Sequence, residues 1–165
     1  MNETKYALKI TFPNDREMVS TRSFNAPRDL VFEALTSCEH LKNWWGPRRM
    51  VMASCEMDFI EGGKYRFVHR DTDGSEYAFR GEFLEIVRPE RVVQTFEFEL
   101  MAGHISRETM VLTEENGVTT LTGHSIYSSA EDMKGHVDSG MESGMVETYD
   151  RLEELLSKRQ ETGSW

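Results

Sequence analysis

The sequence predicts an α+β domain in which a curved antiparallel sheet of about six to eight strands wraps around one long C-terminal helix, with two short helices inserted after the first strands. Two observations carry this. From Met141 to Ser157 the chain reads MESGMVETYDRLEELLS, and apolar or aromatic side chains recur at Met141, Met145, Tyr149, Leu152 and Leu156. Their spacings of four, four, three and four put one apolar stripe on one face of a helix. Upstream, from Arg16 to Tyr127, nearly every segment reads as a strand. The stripe therefore has one place to be buried, against a sheet that bends around it.

The elements follow in order. Tyr6 to Phe12 alternates as a strand, Pro13-Asn14-Asp15 turns the chain, and Met18 to Phe24 forms a second strand. Asn25-Ala26-Pro27 offers a cap and a proline suited to an early helical position, opening a short helix through Leu30, Val31, Ala34 and Leu35. Thr36 and Glu39 have the spacing of a capping box for a second short helix, which ends at Trp44-Trp45-Gly46-Pro47. Six strands follow: Met50 to Glu56, Lys64 to Arg70, Tyr77 to Val87, Val92 to Glu99, Arg107 to Thr113 and Thr119 to Tyr127. Gly62-Gly63, Asp73-Gly74, Arg88-Pro89-Glu90 and Asn116-Gly117 supply turns, so the strands form an antiparallel meander. Ser129 and Asp132 cap a helical piece through Met133 and Val137, and a break is expected near Ser139-Gly140 before the main helix.

One domain spans 1–165, with a core over about 16–158 and a flexible tail at 159–165. The formal charge of -10, from 19 basic and 29 acidic residues, repels phosphate backbones and excludes nucleic acid as a partner. No apolar run approaches the ~20 residues of a membrane span, and MNETKYALKI lacks the layout of a signal peptide, so no membrane insertion is expected. Cys38 and Cys55 lie in unequal surroundings, a helix start and a strand end, and are expected as two free thiols in a cytoplasmic protein.

Several words in this order resemble a known family: Ala26-Pro27 before Leu30-Val31-Phe32, Trp44-Trp45-Gly46-Pro47, Gly62-Gly63-Lys64-Tyr65, Arg88-Pro89-Glu90-Arg91-Val92, and Gly144 leading into Asp150-Arg151-Leu152. Together they resemble the START-like helix-grip superfamily and, within it, the family of the C-terminal domain of the Hsp90 ATPase activator. The resemblance covers roughly Met18 to Leu156 and implies the helix-grip fold, with a tryptophan of Trp44-Trp45 near a cavity mouth. The family's final helix often has Trp after the glycine, whereas here Gly144 precedes Met145, a more adaptable filler. Eukaryotic activators also carry a separate N-terminal domain that this chain has no room for, so Hsp90-type chaperone contact is not expected.

Alternation groups Tyr65, Phe67 and His69, Tyr77 with Phe79, and Phe96 with Phe98, each set on one strand face. With Trp44, Trp45, Met110, Met141 and Met145 these aromatics suit an apolar pocket. The candidate ligand-binding residues are Trp44, Trp45, Phe67, His69, Tyr77, Phe79, Phe96, Met110, Met141 and Met145, all of which a packed core also uses. Parity opposes Leu121, Gly123 and Ser125 to His124, so His124 is a surface residue if Leu121 faces inward. No metal-binding spacing occurs among the histidines, Ser125 and Cys55 lie in no nucleophile motif, and Gly62-Gly63 lacks the rest of a phosphate loop. No catalytic residue, metal or cofactor is therefore assigned. Glu147, Asp150, Glu153 and Glu154 read as the solvated face of the last helix, partly balanced by Arg151 and Lys158.

The function expected is a binding module for a small apolar or aromatic molecule held between sheet and helix. The alternatives are a cyclase- or hydrolase-like enzyme of the same superfamily and a cochaperone-like adaptor; a homodimer is compatible with the chain. An inward histidine with a second polar group in hydrogen-bonding reach favours the enzyme, an apolar cavity the binder, and a filled core with a large exposed apolar patch the adaptor.

Overall fold

The structure, a computed structural model, describes residues 6–165; the signal-peptide reading falls partly on residues 1–5, which lie outside them. Eight strands form one sheet: β1 (Lys9–Asn14), β2 (Glu17–Phe24), β3 (Val51–Met57), β4 (Lys64–Arg70), β5 (Glu76–Val87), β6 (Arg91–Phe98), β7 (Ile105–Glu115) and β8 (Val118–Ile126). The helices are α1 (Arg28–Leu35), α2 (Cys38–Leu41), α3 (Ala130–Asp138) and α4 (Met141–Thr162). Every strand pair is antiparallel, in the order β1-β2-β8-β7-β6-β5-β4-β3. Between β2 and β3, α1 and α2 carry the chain to the far edge, and the meander then returns strand by strand until β8 lies beside β2. This is the predicted helix-grip architecture, with α4 as the gripped helix.

Local departures have local causes. β1 starts at Lys9 and runs through Pro13, which an edge strand tolerates, and its register with β2 shifts between Thr11 and Asn14. The capping box expected at Thr36 does not form: Ser37 is the N-cap of α2 and makes no side-chain cap bond. Thr36 Oγ1 instead donates back to the Phe32 carbonyl at 2.7 Å, closing α1. The Ser129 cap does form, accepting from the Asp132 N–H at 3.1 Å. Gly140, in the left-handed region at φ 89°, makes the expected break between α3 and α4. α4 then outlasts its apolar stripe and continues to Thr162, so most of the segment expected as a tail is helix. Gln160 donates to the Asn25 carbonyl at 2.8 Å, and the Trp165 indole N–H reaches Glu33 at 2.9 Å.

The core is divided. The larger cluster joins Phe24, Tyr65, Phe67, Phe83, Val92, Leu112 and Leu121 of the sheet to Val31, Phe32, Leu35, Leu41 and Trp44, and to Leu152 and Leu156 of α4. The smaller one gathers Met18, Tyr127 and Met141, with Met133 and Met145 against it. On the sheet face between them, the register sets Ser20 against Gly123, Met110 against Gly123, and Glu108 against Ser125, a polar and glycine-bearing seam.

The two cysteines are not free: Cys38 and Cys55 form a disulfide, with Cα atoms 5.7 Å apart. The surroundings that made them look unrelated, the start of α2 and strand β3, are elements that the topology packs together. The inference from free thiols to a reducing compartment loses its basis. Among the described residues no helix is long and apolar enough to cross a membrane. Titration of denatured, unreduced protein should count no free thiol, and reduction should lower stability by about 3 kcal/mol for a loop of this size. Two reactive thiols in the unreduced protein would reject the linkage.

Candidate functional site

The site arises because the two halves of α4 do different things. Leu152 and Leu156 are fully buried, each stabilising the fold by about 1.5–3 kcal/mol, and they press the C-terminal half onto the sheet. The acidic face expected to be merely solvated fixes the helix in place. Asp150 and Glu153 both pair with Arg22, a buried guanidinium on β2, at 3.3 Å. Glu154 pairs with Arg48 at 3.1 Å, and the Glu147 carboxylate accepts from the Arg48 N–H. Arg151, expected to balance those acids, instead donates to the carbonyls of Gly46 (2.7 Å), Pro47 (3.3 Å) and Asn43 (3.1 Å), tying α4 to the Trp-Trp-Gly-Pro turn.

The N-terminal half of α4 meets the sheet only through the small cluster of Met141 and Met145 with Met18, and otherwise roofs a cavity of about 360 Å³. A Cβ added at Gly144, which lines it, would meet no heavy atom within 4 Å, so the glycine leaves open space. Of the ten candidates, Trp44, Trp45, Phe67, Phe79, Phe96, Met110, Met141 and Met145 line this cavity. His69 and Tyr77 do not. Tyr77 sits opposite His69 at the end of β5, its ring 6.3 Å from that of Phe98.

Trp44 is buried and donates its indole N–H to the Ala34 carbonyl at 2.9 Å, so it seals α1 while one edge lines the cavity. Trp45 is the hub of the aromatic wall, meeting Phe67, His69 and Phe79 edge-on at centroid distances of 5.1, 4.7 and 5.4 Å. His69 lies under this turn. A Cβ at Gly46 would fall 2.0 Å from its ring, and only glycine at φ 98° permits the approach. Its Nε2 has no partner; burial, helped by the charge of Arg151, lowers its pKa to about 4.

Gln94 and Phe83, outside the ten candidates, also line the cavity; their alternation with Phe96, two residues away, and Phe79, four away, is the signal that finds them. Phe59, in the turn after β3, carried no periodic signal. Gln94 donates to the Tyr65 hydroxyl at 3.1 Å, which donates in turn to the Thr95 carbonyl at 2.5 Å. Tyr149 also lines the cavity, and burial pushes its phenol up to about 12. At the rim the exposed residue His136 turns its ring inward, with Nδ1 2.5 Å from the Tyr127 hydroxyl. His124 is on the outer face, bonded to Glu17 at 2.6 Å, and Leu121 is inward, as parity required. Glu108, overlooked in the sequence, shares the inner-face parity of Met110 and lies opposite Gln94 and Ser125. Its Oε2 is buried with no hydrogen-bond partner, and desolvation raises its pKa against the opposing influence of Ser125 and His124.

Comparison with known proteins gives one family: the model of the Activator of Hsp90 ATPase homolog 1-like protein matches residues 25–157. No curated protein matches. Among solved structures the chain is similar to a protein from Nitrosomonas europaea, 25% identical over 90% of this chain and 99% of that one, with a TM-score of 0.82. A Rhodobacter sphaeroides protein is 24% identical, covering 92% and 99%, with a TM-score of 0.86. Protein Ms6760 from Mycobacterium smegmatis, 22% identical over 91% and 96% with a TM-score of 0.81, shares the fold.

The depressed His69 pKa has a signed consequence. Above the unfolded value near 6.5 both states are neutral and the native state keeps its full stability; as pH falls from there towards 4, only the unfolded chain takes up the proton. Wild type should lose about 2 kcal/mol more than His69→Gln between pH 7.5 and 4.5 in denaturant titrations. Equal losses would place His69 in a solvated environment.

Proposed function

The chain belongs to the Activator of Hsp90 ATPase homolog 1-like protein family, and from that premise we propose that it is a binding module holding a small apolar or aromatic molecule between the sheet and α4. The observation that carries the reading is the open space at Gly144 facing an aromatic wall. Protein interiors are close-packed, with few voids larger than a water molecule. Glycine within a helix costs about 1 kcal/mol relative to alanine, so a chain selected for packing alone gains by replacing it. The cavity volume falls in the range of ligand sites, about 300–1,000 Å³, and its mostly apolar wall with a few polar groups is what such sites use. Met110, Met141 and Met145 add flexible thioethers that adapt to the shape of a guest. The unfilled core also favours this reading over the adaptor.

Filling the space separates a binding cavity from a packing defect. Gly144→Leu should keep the fold, with stability unchanged or raised by about 1 kcal/mol from helix propensity, and should lose an environment-sensitive apolar dye that wild type binds. A wild type that never takes up dye, or a variant that binds it equally well, rejects the cavity as a binding site.

The enzyme reading is favoured by one observation, the hydrogen bond between His136 and Tyr127 at the rim, where an imidazole could exchange a proton with a guest. Native mass spectrometry of protein from its own host should recover a retained small molecule. If it is returned unaltered, the binder stands. Conversion by wild type that disappears in His136→Ala would make the protein an enzyme.

A further inference from the structure

We propose that Glu108 is the recognition group of this cavity and that the molecule it takes carries a protonated amine on an aromatic or apolar body. The inference rests on the binding reading above and narrows it to one ligand chemistry.

The position of Glu108 comes first. Met110, two residues along β7, and Gln94, opposite Glu108 on β6, both line the cavity, so strand alternation turns Glu108 to the same sheet face, beside these lining residues and not itself among them. On its other side Ser125 of β8 is buried, and the seam between the two apolar clusters runs through this pair. A carboxyl group here is expensive. Removing a carboxylate from water costs several kcal/mol unless a partner replaces the hydration, and Oε2 has no hydrogen-bond partner.

Ser125 meets the carboxyl group with a hydrogen bond, but the neighbourhood supplies no partner for Oε2. The buried guanidinium of the same sheet, Arg22, is committed to Asp150, Glu153 and the Ser23 carbonyl. Gln94 gives one amide proton to Tyr65 and none to Oε2. Among the residues lining the cavity there is no lysine or arginine. The acids of α4 that face the sheet edge behave differently: the exposed Asp150 and the half-buried Glu153 share an arginine.

The rest of the wall selects the sign of the missing charge. Trp45, Phe67, Phe79 and Phe96 present aromatic rings, whose faces attract cations and disfavour anions. The chain as a whole carries a formal charge of -10, which further opposes an anionic guest. A neutral hydrocarbon would fill the volume and leave Oε2 unpaired. An ammonium group on an aromatic body meets both requirements, giving a charge-assisted hydrogen bond to Glu108 and apolar contact with the rings.

Three probes of one shape test this by calorimetry: 1-naphthylmethylamine, 1-naphthylmethanol and 1-naphthoate. Wild type should bind the amine at least ten times more tightly than the alcohol and the naphthoate most weakly. Glu108→Gln should bring the amine to the level of the alcohol while leaving the alcohol within twofold. Glu108→Met, which removes the polar group altogether, should melt at or above the wild-type temperature and show the same lost preference. Equal binding of amine and alcohol by wild type, or a preference that survives in either variant, overturns the role of Glu108 and leaves the binding module standing. Failure of all three probes to bind overturns both.

Discussion

The burial of Leu152 and Leu156 is the interaction on which the rest of the molecule depends. Those two side chains press one half of α4 into the concave sheet, and because a helix is stiff over this length, the position of the other half follows. That half carries Gly144 and Met145 where larger or more rigid side chains would reach the sheet. One helix is thus both the stopper of the core and the roof of a cavity. The transition between these roles lies near Tyr149, whose ring touches Phe24 of the packed region at 5.9 Å while the residue also lines the void.

Apolar packing has no direction, so the placement of α4 along the sheet needs polar contacts as well. Arg22 from below and Arg48 from the side take the helix carboxylates, and Arg151 reaches the carbonyls of the Trp-Trp-Gly-Pro turn. Exposed ion pairs contribute little to stability, so the Arg48 pair acts mainly on geometry. Arg22 is different because it is buried and its charge must be met. Arg151 matters to the site most directly: by holding Gly46 and Pro47 it holds Trp45 over Phe67 and Phe79.

How much of this was legible depends on the kind of signal. Local signals carry furthest: period-2 and helical spacings mark the strands and most of the eight predicted residues around the cavity, and the poor helix propensity of glycine marks the break at Gly140. Alternation gives a face and not a depth: His69 does share a face with Phe67, but it lies beneath Trp45 because Gly46 lets the backbone come down upon it. The disulfide needed the topology, since nothing in a separation of 17 residues says that α2 will meet β3. The last turn of α4 carries no apolar stripe, so periodicity stopped short of it. Glu108 was readable, because the alternation that turns Met110 inward turns Glu108 inward too. The general expectation that a glutamate belongs at the surface hid it.

That expectation makes the seam informative. Natural sequences are mostly consistent from local propensity to core packing, and departures concentrate where function outweighs stability. Three departures lie close together here: a glycine inside a helix, an unfilled volume beside it, and an unpartnered carboxylate oxygen on the sheet face next to the residues that line that volume. Each alone has an innocent origin in packing. Their convergence between one helix and the sheet beneath it is harder to explain by packing, because a single larger side chain at Gly144 would begin to fill the space, and an apolar residue at position 108 would join the two core clusters across the seam. A guest with an apolar body and a hydrogen-bond donor relieves all three at once, filling the volume, restoring contacts to the aromatic wall and pairing the acid.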